Sequence, residues 1–317
     1  MHAADSEVDT WFARLVAGDR RALGRCITWV ENQTAQGMAV LRAAREHPGV
    51  ALVAGFTGSP GAGKSTLVSA CIGEFRRRGR TVAVAAVDPS SPLTGGAILG
   101  DRIRMAAHNG DPGVFVRSIA SRGQVGGLSL TTSRIVDVLA AGGYDVVIVE
   151  TVGAGQSECE IAGLADTKVV MTTPGYGDEM QVAKAGILEI ADVLVVNKSD
   201  MPGAERTAAQ LTEMVSLGSR EGWQPPVLCT VATTGEGVAA LIDAIEAHAD
   251  AARAMPAARA LECTRRLLAT LAADEVRRRV GGDNSPAVDD ICERVGRGEI
   301  SFDVAIDILI GLAAGGN

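Results

Sequence analysis

The sequence predicts an α/β fold in which a mostly parallel sheet is covered by helices on both faces. From residue 50 onward, short runs rich in β-branched residues alternate with longer stretches of helical apolar spacing. The short runs are apolar nearly throughout, which is typical of strands buried on both faces of a parallel sheet. Glycine and proline concentrate in the loops that follow these runs. The 317 residues are ample for one large domain with helical additions.

The order of the elements predicts three regions. The strand candidates are residues 50–56, 81–87, 145–149, 168–172 and 192–197, with further strands at 227–230 and 114–117. Helical spacing covers 7–46 before them and 261–280, 287–295 and 301–312 after them. We therefore predict a helical N-terminal extension at 1–48, the α/β domain at 49–255 and a helical C-terminal extension at 256–317. The C-terminal helices are candidates for packing against a second subunit.

Composition and charge exclude several classes of protein. Lys and Arg number 30 against 38 Asp and Glu, a formal net charge of −8, which does not favour general nucleic-acid binding. No apolar run approaches the roughly 18 residues of a membrane span, and residues 1–7 are too polar for a signal or transit peptide. The six cysteines, at positions 26, 71, 159, 229, 263 and 292, form no Cys-x-x-Cys pair. We predict a cytoplasmic protein with reduced thiols and no nucleic-acid or membrane partner.

The clearest chemical signal is a phosphate-binding loop between the first strand and the helix after it. The pattern G-x-x-x-x-G-K-[ST] is matched by Gly58-Ser59-Pro60-Gly61-Ala62-Gly63-Lys64-Ser65, with Thr66 continuing the helix. Glycines let backbone N–H groups curl around phosphate oxygens at the positive end of the helix. Lys64 is expected to reach the β- and γ-phosphates, and the Ser65 hydroxyl to bind Mg²⁺.

A second motif predicts that the base is guanine. Asn197-Lys198-Ser199-Asp200 follows an apolar strand and fits N-K-x-D. One carboxylate can accept from both N1–H and the N2 amine of guanine, a pair that adenine lacks, so Asp200 is expected to read the base. Asn197 is expected to hold the loop, and the stem of Lys198 to cover the ring. Val231 and Ala232, after the next strand, are candidates for main-chain contacts to the guanine oxygen.

Acidic residues after other strands predict a magnesium site. Glu150 ends the strand at 145–149, where GTPases usually carry Asp-x-x-Gly, and Gly153 is placed to sense the γ-phosphate. Asp88 and Asp101 lie in a long glycine-containing loop and are further Mg²⁺ candidates, although Asp88 also suits a turn before proline and Asp101 a helix N-cap. Ala154 stands where Ras-like enzymes carry the water-positioning Gln, so we predict slow unassisted hydrolysis.

Taken together, these motifs resemble the MeaB-type GTPases, called ArgK in older naming, which accompany cobalamin-dependent acyl-CoA mutases. The similarity covers about residues 50–240 and includes 88–92, 100–102, 121–127, 150–158 and 177–184. It implies a P-loop NTPase fold of the SIMIBI type and a homodimeric, GTP-hydrolysing metallochaperone that gates adenosylcobalamin loading and protects or reactivates the mutase. It also implies that Asp88, Asp101 and Glu150 are switch and magnesium carboxylates, and that Lys184 belongs to an additional switch.

Three alternative functions stay open at the level of sequence. A nickel-delivery maturation GTPase would share the fold, but it requires Cys or His ligands, which this chain does not cluster. A transport-associated kinase is the activity behind the older family name, although no phospho-acceptor site is visible. A GTP-binding regulator without a mutase partner is the plainest alternative.

The sequence departs from the family motif beside guanine. Val231-Ala232 stands where the family usually has Ser-Ala, so the Ser hydroxyl is absent.

Overall fold

All seven strand candidates form strands of one parallel sheet. The computed structural model describes residues 3–88, 105–108, 110–120, 130–151, 161, 164–175, 190–217, 222–254, 265, 269, 272, 276 and 286–315. The strands are β1 (Leu52–Gly58), β2 (Val82–Asp88), β3 (Val114–Ala120), β4 (Val146–Glu150), β5 (Thr167–Thr172), β6 (Val193–Asn197) and β7 (Val227–Thr230). Their order in the sheet is β3-β2-β4-β1-β5-β6-β7.

Nine α-helices accompany the sheet within the described residues. They are α1 (Ala3–Val16), α2 (Arg20–Glu31), α3 (Ala35–Glu46), α4 (Lys64–Arg77), α5 (Leu130–Ala141), α6 (Ala204–Leu217), α7 (Val238–Arg253), α8 (Pro286–Gly296) and α9 (Phe302–Gly315). Among these helices, none is long and apolar enough to cross a membrane.

Helices cover both faces of the sheet, which confirms the predicted fold class. One face packs against α4 and α7 through a core that includes Phe56, Ile148 and Ile242. The other face packs against α5 and the helical prefix. Strand residues alternate between these two cores, as the period of a β-strand requires. Because the central strands are covered by helices on both faces, β1, β4 and β6 can be apolar along most of their length.

The helical prefix shares a core with the sheet. Phe12, Leu23 and Ile27 are buried in the same cluster as Leu139 of α5 and Val149 of β4. Within the prefix, Asp19 caps α2 by accepting from the backbone N–H groups of its first turn, and Thr34 caps α3 in the same way. The chain divides into two compact units, Met1–Ala260 and Leu261–Asn317.

The second compact unit is described mainly through its last two helices. Helices α8 and α9 pack against each other, as the helical spacing at 287–295 and 301–312 predicts. Large apolar side chains of α9 are exposed, among them Phe302, which is 75% exposed. Ile306, Ile310 and Leu312 are also exposed on the same helix. Most of the helix predicted at 261–280 lies outside the described residues.

Candidate nucleotide-binding site

The residues of the predicted phosphate-binding loop connect the end of β1 to the start of α4. Gly58, Gly61 and Gly63 have φ angles of 143°, 80° and 85°, in the region that favours glycine. At Gly58 a Cβ would lie 2.1 Å from the Met171 carbonyl oxygen, and at Gly63 it would lie 2.7 Å from the Asn197 Nδ2 atom. The loop therefore needs glycine both for its curvature and for its close approach to β5 and to the residues that end β6.

The Lys64 ammonium lies inside the curve of this loop. Its Nζ donates to the Gly58 carbonyl at 2.8 Å and to the Ser59 carbonyl at 3.0 Å, and the residue is buried. A buried ammonium needs such partners because the charge is costly to desolvate. Phosphate oxygens would replace neutral carbonyls with charged acceptors, which form stronger hydrogen bonds. The geometry is that of a cation held in place for an anionic ligand.

Ser65 and Glu150, predicted from separate motifs, lie together. The Ser65 hydroxyl donates to Glu150 Oε1 at 2.7 Å, and both side chains are buried. A hydroxyl oxygen and a carboxylate are the hard oxygen ligands that Mg²⁺ prefers, so these residues fit the ion that the sequence predicts. Asp88 ends β2 at the same edge of the sheet. The side chain of Asp88 lies outside the described part of the structure.

Asn197 joins three loops at the carboxyl edge. Its Nδ2 donates to the Ala62 carbonyl at 2.8 Å, while its Oδ1 accepts from Thr230 Oγ1 at 3.1 Å and from the Ala232 N–H at 3.2 Å. It therefore holds the phosphate loop against the loop that follows β7. The contribution of Thr230 is not visible in the sequence pattern, because nothing in the spacing of the motifs marks its hydroxyl.

The neighbours of Asn197 complete the candidate base site. Lys198 has a φ of 56°, and its Nζ donates to the Gly61 carbonyl at 2.9 Å. The Ser199 N–H donates to the Thr230 carbonyl at 3.0 Å, which fixes the turn that presents Asp200. Asp200 itself is exposed. Because the Asp200 carboxylate is exposed on a turn held by hydrogen bonds, it can accept hydrogen bonds from a nucleotide base that enters from solvent, without a large rearrangement.

The structure leaves several predicted residues without a described position. Asp101, Gly153 and Lys184 lie outside the described residues. Pro60 and Thr66 are exposed on the phosphate loop and on α4. The roles predicted for these residues stay predictions, as does the main-chain contact predicted for Val231 and Ala232.

Thiol chemistry does not contribute to this site in the described part of the chain. Burial raises the pKa of Cys26 to about 11, and burial also raises the pKa of Cys71, on α4, and of Cys229, on β7. These thiols are therefore protonated at neutral pH and are poor ligands for soft metals. Across the described residues, His, Cys, Asp and Glu form no group of three that could hold a metal ion.

Comparison with known proteins gives consistent relatives. Residues 23–285 match the family described as methylmalonyl-CoA mutase-associated GTPase MeaB. A protein of Pyrococcus horikoshii named as a GTPase is 50% identical over 245 residues, covering 76% of this chain and 77% of that protein. The mouse mitochondrial protein named methylmalonic aciduria type A homolog is 38% identical over 256 residues, 74% of this chain and 61% of that one.

A solved structure shares the fold over nearly the whole chain. The crystal structure of a protein named LAO/AO transport system kinase superposes with a TM-score of 0.72 at 27% identity, covering 98% of both chains. The family match spans most of the sequence, and the phosphate loop, the Ser65–Glu150 pair and the Asn197 contacts occur within it. The chain is thus a GTPase, and it belongs to the MeaB family of methylmalonyl-CoA mutase-associated GTPases.

Proposed function

We propose that this GTPase serves an adenosylcobalamin-dependent acyl-CoA mutase, gating the loading of the cofactor and protecting or reactivating the enzyme. The observation that carries the proposal is the family match over residues 23–285, whose description names methylmalonyl-CoA mutase. The name of the mouse relative, methylmalonic aciduria type A homolog, points to the same metabolism. Adenosylcobalamin belongs to the mutase in this proposal, and the ligands of the present chain are GTP, GDP and Mg²⁺.

The described residues account for nucleotide binding in three steps. Backbone N–H groups of the loop at 58–65 hold the phosphates at the start of α4. The Lys64 ammonium exchanges the carbonyls of Gly58 and Ser59 for phosphate oxygens. Asp200 accepts from guanine on the turn that Asn197 braces.

Magnesium is the second ligand that this site would hold. Ser65 and Glu150 are the described residues that would hold it, together with Asp88 at the end of β2 and Asp101, which follows in the sequence. When bound, the ion neutralises charge on the β- and γ-phosphates. The catalytic contribution of the chain itself is then the fixed position of Lys64 and of these oxygen donors, since phosphoryl transfer depends chiefly on positioning and electrostatic stabilisation.

Hydrolysis is proposed to be slow until the mutase binds. Ala154 follows Gly153 where Ras-like enzymes carry Gln, so the attacking water lacks its usual side chain. The mutase is proposed to complete the site through the segments of the sequence that carry Gly153 and Lys184.

We also propose a cytoplasmic homodimer formed by the C-terminal extension, which the exposed apolar side chains of α9 support.

The proposal is tested by measuring GTP hydrolysis and cofactor loading with a purified methylmalonyl-CoA mutase apoenzyme. The wild-type chain is expected to hydrolyse GTP faster with the mutase than alone, and to make adenosylcobalamin loading depend on the nucleotide. Lys64→Ala should remove both effects, while Arg253→Ala, at an exposed position of α7, should retain them. Equal rates with and without several mutases, and loading that ignores the nucleotide, would refute the proposal.

A second candidate is phosphoryl transfer to a transport component. The observation that favours it is the likeness, with a TM-score of 0.72, to a solved structure whose protein is named a transport system kinase. Incubation with γ-labelled GTP and membrane or periplasmic protein fractions distinguishes the two. Label on a protein acceptor would favour the kinase, whereas release as free phosphate alone favours the mutase-associated GTPase.

A further inference from the structure

Two buried threonines connect the strands that carry the phosphate loop and Glu150. Thr57 is in β1 directly before Gly58, and Thr151 directly follows Glu150, the last residue of β4. Their side chains are buried, with exposed fractions of 0% for Thr57 and 1% for Thr151. The Thr151 hydroxyl lies 3.1 Å from Thr57 Oγ1, to which it donates, and 3.4 Å from the Phe56 carbonyl oxygen.

The threonine pair extends the contact between the two strands beyond their paired residues. The parallel register pairs Leu52–Phe56 with Val146–Glu150, so Phe56 and Glu150 are the last partners. The Thr151 N–H then donates to the Phe56 carbonyl at 3.1 Å, and the hydroxyl contact follows at the next step. Both the backbone and the side chain of Thr151 therefore form hydrogen bonds with β1.

This contact lies beside the residues that bring Glu150 and Ser65 together. Ser65 is delivered by the loop that starts at Gly58, next to Thr57, and Glu150 is the residue before Thr151. The 2.7 Å contact between the Ser65 hydroxyl and Glu150 Oε1 thus depends on how β1 and β4 are held at their ends. The threonine pair joins the two strands there, with Thr57 next to Gly58, the start of the loop, and Thr151 next to Glu150.

We infer that Thr151, with Thr57 as its partner, is a positioning residue for magnesium, holding Glu150 where it shares the ion with Ser65. The inference rests on the proposed magnesium site. Valine has nearly the shape of threonine but no hydroxyl, so Thr151→Val keeps the packing and leaves the buried Thr57 hydroxyl without this donor. The phosphate-binding loop keeps its own contacts, so nucleotide binding without magnesium should survive.

The test follows dissociation of the fluorescent nucleotide N-methylanthraniloyl-GDP from the full chain across a magnesium titration. Thr151→Val should raise the magnesium concentration that half-maximally slows dissociation by about fivefold, which is what one buried hydrogen bond typically contributes. Its affinity for the same nucleotide in EDTA should match that of the wild type. Thr151→Ser, which restores a hydroxyl, should return the half-maximal concentration toward the wild-type value.

The matched control is Thr167→Val, which removes a buried threonine hydroxyl that lies far from the site. Thr167, at the amino end of β5, is also fully buried, and its hydroxyl lies 2.9 Å from His248 Nδ1. Thr167→Val should leave the half-maximal magnesium concentration unchanged even if it lowers the thermal midpoint. If Thr151→Val does not fold, Thr57→Val removes the other member of the pair, and the same shift is expected.

The possible results distinguish a failure of the positioning role of Thr151 from a failure of the proposed magnesium site. Suppose that magnesium slows dissociation from the wild type and that Glu150→Gln weakens this effect. If Thr151→Val and Thr57→Val then behave as the wild type does, the positioning role is refuted and the magnesium site stands. Equal weakening of nucleotide binding with and without magnesium would show a general structural defect and would also refute it. If neither magnesium nor Glu150→Gln changes dissociation from the wild type, the magnesium site fails, and this inference fails with it.

Discussion

At the scale of single residues, Lys64 shows how the loop prepares for an anion before one binds. Its ammonium donates to two backbone carbonyls of the loop, at 2.8 and 3.0 Å. Lys64→Ala should weaken GTP and GDP binding at least about tenfold, the loss expected when a charge-assisted hydrogen bond disappears. Calorimetric titration measures the affinity. Circular dichroism should show an unchanged fold, and near wild-type affinity would contradict the assigned role.

Asp200 is expected to determine which purine binds. Asp200→Asn replaces an acceptor by an amide that also donates, which suits the O2 carbonyl of xanthine better than the N2 amine of guanine. We expect GTP affinity to fall by about tenfold or more and XTP affinity to rise, since a hydrogen bond to a charged group is at stake. Competition of GTP and XTP against a fluorescent GDP analogue measures both. Unchanged preference for GTP would show that another residue reads the base.

His248 lies at the opposite edge of the sheet, and we expect it to make the stability of the folded protein depend on pH. It is buried on α7, with its ring 2.9 Å from the Thr167 hydroxyl and 3.3 Å from Asp192. Burial lowers the pKa of His248, opposed by Asp192 and Asp166 and reinforced by Lys168. The unfolded chain therefore takes up this proton more readily, and stability falls as the pH drops through about 6.5 toward the lowered native pKa.

The His248 prediction is checked by urea unfolding at pH 7.5 and pH 5.5. Because only the wild type carries the buried imidazole, its stability advantage over His248→Gln should be smaller at the lower pH. A wild-type advantage that grows on acidification would mean that the contact with Asp192 outweighs burial and that the pKa is raised.

At the scale of elements, the contact between α2 and α3 depends on one glycine. A Cβ at Gly37 would lie 2.4 Å from the Trp29 carbonyl oxygen, whereas a Cβ at Gly24, within α2, would meet nothing within 4 Å. Gly37→Ala should destabilise the protein by roughly 1–3 kcal/mol, as overpacking does. Gly24→Ala is the matched control and should be neutral or up to about 1 kcal/mol stabilising, because alanine favours helices.

Chemical denaturation of the two glycine variants gives the free energy of unfolding directly. Helices α1–α3 share a core with Leu139 and Val149. The stability lost in Gly37→Ala should therefore appear in the same single unfolding transition as that of the sheet. A separate early transition of the prefix, with the sheet unaffected, would contradict the shared core.

The elements and the site differed in how far the sequence could predict them. The strands are readable because burial on both faces makes them apolar throughout, and the loop at 58–65 is readable because phosphate binding dictates its glycines, Lys64 and Ser65. Glu150 could be assigned because it ends such a strand. The Thr57–Thr151 and Asn197–Thr230 contacts join residues 94 and 33 positions apart, and no periodicity marks them.

A second feature that the sequence did not indicate is the polar cluster at the amino ends of β5 and β6. Lys168 and Asp192 form an ion pair at 2.7 Å, and Trp223 Nε1 donates to the Asp192 carbonyl at 2.8 Å. Each of these residues suits an ordinary surface position when it is considered alone. Only the parallel pairing of β5 with β6 and the packing of α7 bring them together with His248.

At the scale of the whole molecule, one edge of the sheet gathers the parts of the candidate nucleotide-binding site. The ends of β1, β4, β6 and β7 bring the phosphate loop, Glu150, Asn197 and Thr230 to the same edge. Loops that follow strands at this edge are where open α/β sheets bind ligands. The helical prefix packs on one face of the sheet and α4 and α7 pack on the other, so this edge belongs to a scaffold that is covered on both faces.

This edge of the sheet is expected to bind a guanine nucleotide together with magnesium. Isothermal titration calorimetry of the full chain with GTP and with ATP, each in the presence of Mg²⁺, tests it most directly. We expect saturable binding of GTP and GDP and at least about a hundredfold weaker binding of ATP, because adenine leaves the Asp200 carboxylate without its two donors. Tight ATP binding with no heat from GTP would contradict the account.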